Sequence, residues 1–204
     1  MKPNRLLPLL ILLGASIYGF AQPELAAASP GPYPQRKLAV EPGIGIHTNF
    51  GTDLLIAGLL QWNPSKRLTI ASHTSFNINN LFKRDFNYVK TNYNYTFNQK
   101  IGVGTTFYCR RSAHTLLLMI GAKYTTFKET LDNPNLDKVS ASISALSPDY
   151  GLMYSYKRGW KKYYFTGRMY LPLYPWPAKG ADINYIDGNR NNIALEMGVG
   201  IKIK

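Results

Sequence analysis

The sequence has a single cysteine, Cys109, and few acidic residues, with 11 Asp and Glu against 24 Lys and Arg. One cysteine excludes an intramolecular disulfide and a thiolate metal cluster as sources of stability. A transmembrane helix needs about 20 consecutive apolar residues, and no segment beyond the N-terminal region supplies such a run. The formal charge of +13 is scattered among turns and strands without a basic helix or nucleic-acid module, so it does not predict nucleic-acid binding. Most basic residues are expected to be solvated strand ends, and some to contact anionic lipid headgroups or sugar phosphates.

The N-terminal residues 1–21 are typical of a secretory signal peptide. Lys2 and Arg5 precede the apolar run Leu6 to Ile17, and small residues follow as far as Ala21. The run contains Pro8 and is shorter than a membrane span, which favours cleavage over an uncleaved anchor. Export followed by cleavage is therefore expected.

Two regions follow the signal peptide. Residues 22–37 are rich in Pro and Ala and predict a flexible segment, with a second cleavage site after Ala28. Residues 38–204 are enough for one domain. Hydrophobic residues make up 45% of the chain and aromatic residues 13%, mostly the Tyr and Phe that strands favour.

Apolar residues alternate with polar or small ones along most of the domain. In the closing segment "NIALEMGVGIKIK" every second residue is a sizeable apolar one, and the residues between are Gly, Ala and charged residues. A period of two is typical of strands with two different faces. Together with turn signals such as Asn98-Gln99 and Ser147-Pro148-Asp149, the pattern predicts ten strands, or eight if the segment near 139–146 or the turn at Phe50 is misread. The predicted strands lie near 39–49, 53–62, 66–77, 86–97, 100–110, 114–127, 139–146, 149–157, 161–173 and 191–203.

The two faces of these strands indicate which solvents surround the sheet. The less apolar face carries repeated Gly and Ala with isolated charges, which suits the crowded inside of a narrow closed barrel. The apolar face has aromatic residues near the segment ends, where aromatic girdles lie at headgroup depth. The sequence therefore predicts an all-β fold, a closed antiparallel up-and-down transmembrane β-barrel.

The domain resembles the small outer-membrane β-barrel proteins of diderm bacteria, and most of all the exported Bacteroidota type. The similarity rests on the signal ending "GFAQ", on hairpins rich in Tyr and Asn, and on the closing strand "NIALEMGVGIKIK". It covers residues 38–204 and concerns architecture. In that class the last residue is often aromatic and is read by the assembly machinery, whereas this sequence ends in Lys204. The resemblance implies an outer-membrane location, with outer-membrane lipid, lipopolysaccharide and the assembly machinery as partners.

Several charged residues occupy those alternate strand positions that should point into the barrel, which is called here interior parity. They predict a network of ion pairs inside the barrel, because buried charges must find partners or water. A network that fills the barrel is the first reading; a narrow path for ions or small solutes, or a ligand cleft at the rim, is the alternative. If the strands before and after the long connection 174–190 pair, the antiparallel register sets Arg168 opposite Glu196. The predicted interior residues are Glu41, Arg67, Lys90, Lys123, Asp149, Arg168, Glu196 and Lys202.

An enzyme is the second hypothesis, since His73 and Ser75 have a spacing similar to that of outer-membrane lipid A deacylases. Their parity places them inside, away from lipid, and the nearest acids in sequence are Asp85 and Glu129. A hydrogen-bonded pair of lumen residues is the simpler reading, so no catalytic residue is assigned. No cofactor is predicted.

The three histidines, His47, His73 and His114, lie on separate predicted strands without carboxylate or cysteine partners at ligand spacing, so no metal site is predicted either.

The long connection 174–190 is predicted to face the cell exterior, with the short turns facing the periplasm. Trp176, Tyr185 and Asp187 make it the surface best suited to a protein partner. The function expected from the sequence is a non-enzymatic outer-membrane barrel with a structural, adhesive or accessory role. A small pore and a soluble barrel that binds an apolar ligand are the remaining alternatives.

Overall fold

Eight strands form the structure, a computed structural model that describes residues 37–47, 54–65, 67–78, 89–109, 112–132, 134–135, 137–159, 162–173 and 193–203. The predicted signal peptide, the Pro- and Ala-rich segment apart from Lys37, and the connection 174–190 lie outside the described residues. In chain order the strands are β1 (Leu38–His47), β2 (Leu54–Trp62), β3 (Leu68–Ile78), β4 (Val89–Tyr108), β5 (Ser112–Leu131), β6 (Val139–Arg158), β7 (Tyr163–Pro172) and β8 (Ala194–Lys202).

Every strand pairs antiparallel with its neighbours in sequence, and β1 pairs with β8, so the sheet closes into a barrel. Closure leaves no open sheet edge around the barrel wall and satisfies the backbone groups that an edge would expose. The short connections β2–β3, β4–β5 and β6–β7, together with the start of β1 and the end of β8, lie at one end of the barrel, called here the turn end. The other end is called the loop end. Among the described residues, no helix is long and apolar enough to cross a membrane.

Two segments predicted as turns lie instead within long strands, which reduces ten predicted strands to eight. Asn98-Gln99 lies in β4, and Ser147-Pro148-Asp149 lies in β6. The alternation of apolar residues runs through both segments without a break, so Asn98 and Asp149 face the barrel interior, where the amide of Asn98 donates to the carboxylate of Asp149. Asn, Ser and Pro favour turns locally, but the barrel gives these residues partners that a turn would not.

Strands β4, β5 and β6 continue past the loop end as a three-stranded sheet, called here the β4–β6 extension. The pairing of β3 with β4 stops at Ile78 and Tyr95, and that of β6 with β7 stops at Gly151 and Pro172. The pairing of β5 with β6 continues for twelve more residue pairs, as far as Leu131 and Val139. Pro148 lies in this part of β6, where among the described strands only β5 is a neighbour, and proline is tolerated at such edges.

The barrel wall is apolar outside and largely polar inside. Large exposed apolar side chains cover its outer surface, including Ile44, Ile56, Leu60, Ile101, Leu118, Ile120, Phe165 and Met197. The buried side chains are those that point into the barrel, and they combine a small apolar cluster around Leu59, Leu117 and Met153 with many charged and hydroxyl groups. This distribution is the reverse of that in a water-soluble barrel.

Several interior glycines allow neighbouring strands to approach closely. A Cβ atom at Gly104 would overlap the carbonyl oxygen of Leu116 on β5, and one at Gly102 would overlap the sulfur of Met119. At Gly58, which faces outward on β2, a Cβ atom would meet nothing within 4 Å. The interior glycines therefore have a steric role that the outward one does not share.

Gly104→Ala should destabilise the barrel by about 1–3 kcal/mol, because its Cβ can be accommodated only by moving backbone. The measurement is the temperature at which the folded, fast-migrating form is lost on gels, with Gly58→Ala as the control that should leave this temperature nearly unchanged. Equal losses in the two variants would contradict the steric explanation.

Candidate functional site

Glu41 of β1 lies at the centre of a polar cluster inside the barrel and is fully buried. The Lys157 Nζ atom lies 2.5 Å from its Oε1 atom, and the Tyr164 hydroxyl donates to the same oxygen at 2.6 Å. The Thr166 hydroxyl donates to the Oε2 atom at 3.1 Å, and Arg168 Nη1 lies 3.6 Å from that oxygen. Two cations and two hydroxyls thus compensate this carboxylate, as burial of a charge requires.

Arg168 of β7 joins Glu41 to a second buried carboxylate, that of Glu196 on β8. Its Nε atom donates to Glu196 Oε2 at 2.7 Å, and its Nη1 atom donates to the backbone oxygen of Glu41 at 2.8 Å. The register of β7 and β8 places Arg168 opposite Glu196, as predicted. On its other side, Glu196 contacts His73 of β3, whose Nε2 atom lies 3.0 Å from Oε1. One chain of contacts therefore crosses the barrel from Lys157 to His73.

Asp149 of β6 is the centre of a second cluster nearer the loop end. Lys100 Nζ donates to its Oδ2 atom at 2.8 Å, and the Tyr170 hydroxyl donates to Oδ1 at 2.5 Å. Lys100 also lies over the ring of Tyr170, 4.0 Å from its centroid, which adds a cation–π contact. Lys123 is buried beside this cluster and lines the same cavity as Lys100 and Asp149.

Glycines on β1 and β8 make room for the two largest side chains of the first cluster. A Cβ atom at Gly43 would lie 2.6 Å from Arg168 Nη2, and one at Gly200 would overlap the ring of Tyr164. Glycine at these inward-facing positions thus leaves the space into which the side chains of Arg168 and Tyr164 extend. Small interior residues are typical where a narrow barrel must hold long side chains.

Two small cavities lie beside the clusters in the described part of the lumen. One, of about 20 Å³, lies toward the loop end beside His47, His73 and Asp149. The other, of about 10 Å³, lies toward the turn end beside Gln61 and Tyr164. On β1, Glu41 lies between the residues that line them, and a water molecule needs at least about 10–15 Å³. Each of these two cavities therefore has room for about one water molecule, and buried Glu41 lies between them.

The sequence predicted five of the charged residues that the structure places inside the barrel wall: Glu41, Lys123, Asp149, Arg168 and Glu196. Arg67 is exposed just before β3, and Lys202 is half-buried at the end of β8. Both residues have interior parity, but they lie at the turn end, where the lumen opens. They are therefore not part of the buried network.

The prediction for Lys90 is wrong, since it lies on the β4–β6 extension with more than half of its side chain exposed. Its Nζ atom donates to Asp132 Oδ2 at 2.9 Å, outside the barrel. Hydrogen bonding from Lys90 and the charge of Lys138 hold the pKa of the Asp132 carboxyl below its ordinary value. The alternation of β4 continues past the rim, so parity alone does not distinguish the lumen from the extension.

Three further residues of the clusters were not predicted as members: Lys100, Lys157 and His73. On its strand, each of the three lies two positions from a glycine or serine that faces the interior. Lys157 lies two residues from the interior Ser155, and Lys100 two residues from Gly102. Applying the alternation to strand ends would have identified both, whereas nothing in the sequence pairs His73 with Glu196.

His73 and Ser75 both point from β3 into the barrel, as the alternation along the strand predicts. An acid does contact the histidine, but it comes from β8, 123 positions along the chain, rather than from Asp85 or Glu129. His47 contacts Asn77, and His114 contacts the Tyr154 hydroxyl at 2.7 Å. Within the described residues, no group of three His, Cys, Asp or Glu side chains is placed to hold a metal ion. Trp176, Tyr185 and Asp187 lie outside the described residues.

Comparison with known proteins gives similarity to solved barrels but no family. No protein-family model and no curated protein matches the chain. Ail, the attachment invasion locus protein of Yersinia pestis, matches with a TM-score of 0.46 and 8% identity over 80% of this chain and 95% of that one. A major outer membrane protein from Thermus thermophilus matches with a TM-score of 0.46 and 14% identity over 82% of this chain and 99% of that one. The Bacteroidota type remains a prediction from the sequence.

Removing one member of the buried Arg168–Glu196 pair should destabilise the barrel by about 3–5 kcal/mol, because the remaining charge is left in a closed interior. Arg168→Ala and Glu196→Ala should each lower the temperature of heat modification, and the double variant should lose less than the sum of the two losses. Lys90→Ala, which breaks an exposed pair, is the control and should change this temperature little. Additive losses would show that the two side chains do not depend on each other.

Proposed function

We propose that the protein is an integral outer-membrane β-barrel with a structural or accessory role and a lumen sealed by its own side chains. The observation that carries this proposal is the inverted distribution of polarity, with apolar side chains outside and buried ion pairs inside.

The outer surface is suited to lipid rather than to water. Ile101 and Ile120, which pair across β4 and β5, are each 62% exposed, and the exposed Tyr150 of β6 lies opposite Ile120. The largest apolar patch on a typical soluble monomer is about 300–600 Å², whereas this belt continues around the barrel. A soluble barrel with an apolar ligand would keep its apolar face inward, so the charged interior argues against that alternative.

Aromatic residues lie at both ends of the apolar belt. Trp62, Phe107 and Tyr163 are exposed at the turn end, and Phe76 and Tyr124 are exposed toward the loop end. Strands of about 9–11 residues are long enough to cross a bilayer when tilted, and β1, β2, β3, β7 and β8 have 9 to 11 residues. The apolar belt and the lengths of these strands therefore both indicate that each strand crosses the bilayer once.

The orientation follows from the lengths of the connections and from the predicted signal peptide. Barrels of this kind have short turns in the periplasm and longer loops outside the cell, so the turn end should face the periplasm. The β4–β6 extension would then project from the outer surface, together with the connection 174–190. An adhesive or partner-binding role would belong to that end.

The closed interior supports a filled barrel rather than a pore. Between its two small cavities, the lumen is crossed by Glu41 and Arg168, which bind each other and their neighbours. A conducting path requires these groups to part and leave charges unpaired, at considerable cost. The ion pairs therefore serve to fill and stiffen the wall.

His73 and Ser75 are proposed to have a structural role, because the cavity beside them, about 20 Å³, cannot admit an ester of a lipid. Ser75→Ala should leave the lipid A acylation pattern of expressing cells unchanged, as measured by mass spectrometry. Loss of an acyl chain in cells with the wild-type protein and its recovery in the variant would support the hydrolase alternative instead. The Glu196 carboxylate contacts His73, as the acid of a hydrolase would.

The membrane proposal is tested by extraction and by one outward charge. The wild-type protein should resist salt and urea, dissolve only in detergent and migrate faster on gels before heating. Ile120→Lys, near the middle of the belt, should reduce bilayer insertion by about 2–4 kcal/mol. Val139→Lys, at the far end of the β4–β6 extension and comparably exposed at 57%, should not. Release of the wild-type protein by salt alone, or equal effects of the two variants, would contradict the proposal.

A further inference from the structure

At the turn end of the barrel, the described residues include a group of basic side chains without carboxylate partners among them. Five described residues form it, each exposed or half-buried at a strand end, and they are called here the basic ring: Lys37, Arg67, Arg158, Lys162 and Lys202. Within the described residues, no ion pair joins any of them to a carboxylate. The nearest acid on β1, Glu41, is fully buried in the lumen and already bound to Lys157.

The sequence of the turn segments adds to this asymmetry. The segments 63–67, 109–111 and 158–162 read "NPSKR", "CRR" and "RGWKK" and contain no acidic residue. At the loop end, by contrast, Asp132 pairs with Lys90 and lies 3.6 Å from Lys138. Of the two ends, as far as the described residues define them, the turn end therefore presents cations without acids among them.

The residues of the basic ring lie at strand ends on the turn side of the barrel. Lys202 N donates to the backbone oxygen of Lys162 at 2.9 Å, which places β7 and β8 side by side there, and Lys202 pairs with Ala39 of β1 on its other side. Arg158 is the last residue of β6, across the short connection from Lys162, and Arg67 directly precedes β3. Cations therefore lie at or next to the turn-side ends of five of the eight strands.

The basic ring also lies directly beyond the aromatic edge of the apolar belt. Lys162 Nζ is 5.9 Å from the centroid of the exposed Tyr163 ring. Trp62 pairs with Leu38, so its exposed indole lies beside the strand end that carries Lys37. Aromatic rings at headgroup depth with long cationic side chains just outside them are arranged to reach lipid phosphates.

We propose that the basic ring is a binding surface for anionic phospholipid headgroups in the leaflet on the turn side of the membrane. The phosphates of these lipids supply the negative charge that the turn end lacks. In the orientation proposed above, this is the periplasmic leaflet. The inference rests on the proposed membrane-spanning barrel and adds a lipid class and a leaflet to it.

Trp62 provides a local probe for the test, because the chain has three tryptophans and the other two can be replaced by Phe at positions 160 and 176. The single-tryptophan protein is folded into liposomes in which either phosphatidylglycerol or phosphatidylcholine is brominated, in equal mixtures of the two lipids. Brominated lipid in contact with the indole quenches its fluorescence. We expect phosphatidylglycerol to be enriched at Trp62 by about fivefold, the effect of roughly one lysine or arginine near an anionic surface.

The triple variant Lys37→Gln, Arg67→Gln, Lys202→Gln should bring the enrichment close to onefold. The control variant Lys90→Gln, Lys128→Gln, Lys138→Gln removes the same charge at the loop end and should keep the wild-type value. Heat-modifiable migration checks that each variant is folded. An enrichment that the triple variant leaves unchanged, or that is absent in the wild type, would overturn the inference.

Two further outcomes separate the explanations. If Trp62 is quenched equally by both lipids while the triple variant loses binding of tripolyphosphate in detergent, the surface binds a soluble polyanion and the lipid inference fails. If neither brominated lipid quenches Trp62, the proposed membrane barrel fails as well.

Discussion

The bond between Arg168 and its two carboxylates is the interaction on which the interior depends. Glu41 and Glu196 come from opposite ends of the domain, and the guanidinium binds the Glu196 carboxylate and the Glu41 backbone while β1 and β8 close the sheet. Lys157 supplies the second positive charge, next to the Glu41 carboxylate. Gly43 leaves the space that the guanidinium occupies. Charge, small residues and closure therefore depend on one another: a larger residue at 43 displaces the arginine, and an unclosed sheet leaves it with half of its partners. An apolar interior of the same volume could be equally stable, so the network is best understood as fixing which strands meet and in which register.

The strand alternation allowed much of this barrel to be predicted from the sequence. Closure, the antiparallel arrangement and the opposition of Arg168 to Glu196 follow from residue parity and from one assumed hairpin. Strand number was less certain, because the local preference of Asn98-Gln99 and Ser147-Pro148-Asp149 for turns outweighed an alternation that continues through both. Those residues face a lumen that supplies hydrogen bonds, a feature no local window contains. The contact of His73 with Glu196 was also beyond prediction, since it spans the diameter of the barrel between strands that do not pair.

Parity also has a limit at the rim, as Lys90 and Arg67 show. Alternation records which way a side chain points along a strand, but not whether other strands still surround it at that height. Lys90 is on the β4–β6 extension, where β3 no longer faces β4, and Arg67 precedes the first residue of β3. Strand ends and the long connection therefore need three-dimensional information, while the barrel wall does not. Lys157 is a different case, because it is buried near a strand end and the alternation, applied that far, would have identified it.

The placement of the first cluster has a consequence for the order in which the barrel can assemble. Glu41 belongs to the first strand, whereas Lys157, Tyr164 and Arg168 belong to the sixth and seventh strands, and Glu196 to the eighth. A partly inserted sheet of the early strands alone holds an uncompensated carboxylate on the face that becomes the lumen. The energetic gain from these charges is therefore concentrated in the closing stage, when late strands reach early ones. Such a chain has an electrostatic reason to remain hydrated on its inner face until the sheet closes, and closure and dehydration of the lumen become a single cooperative event.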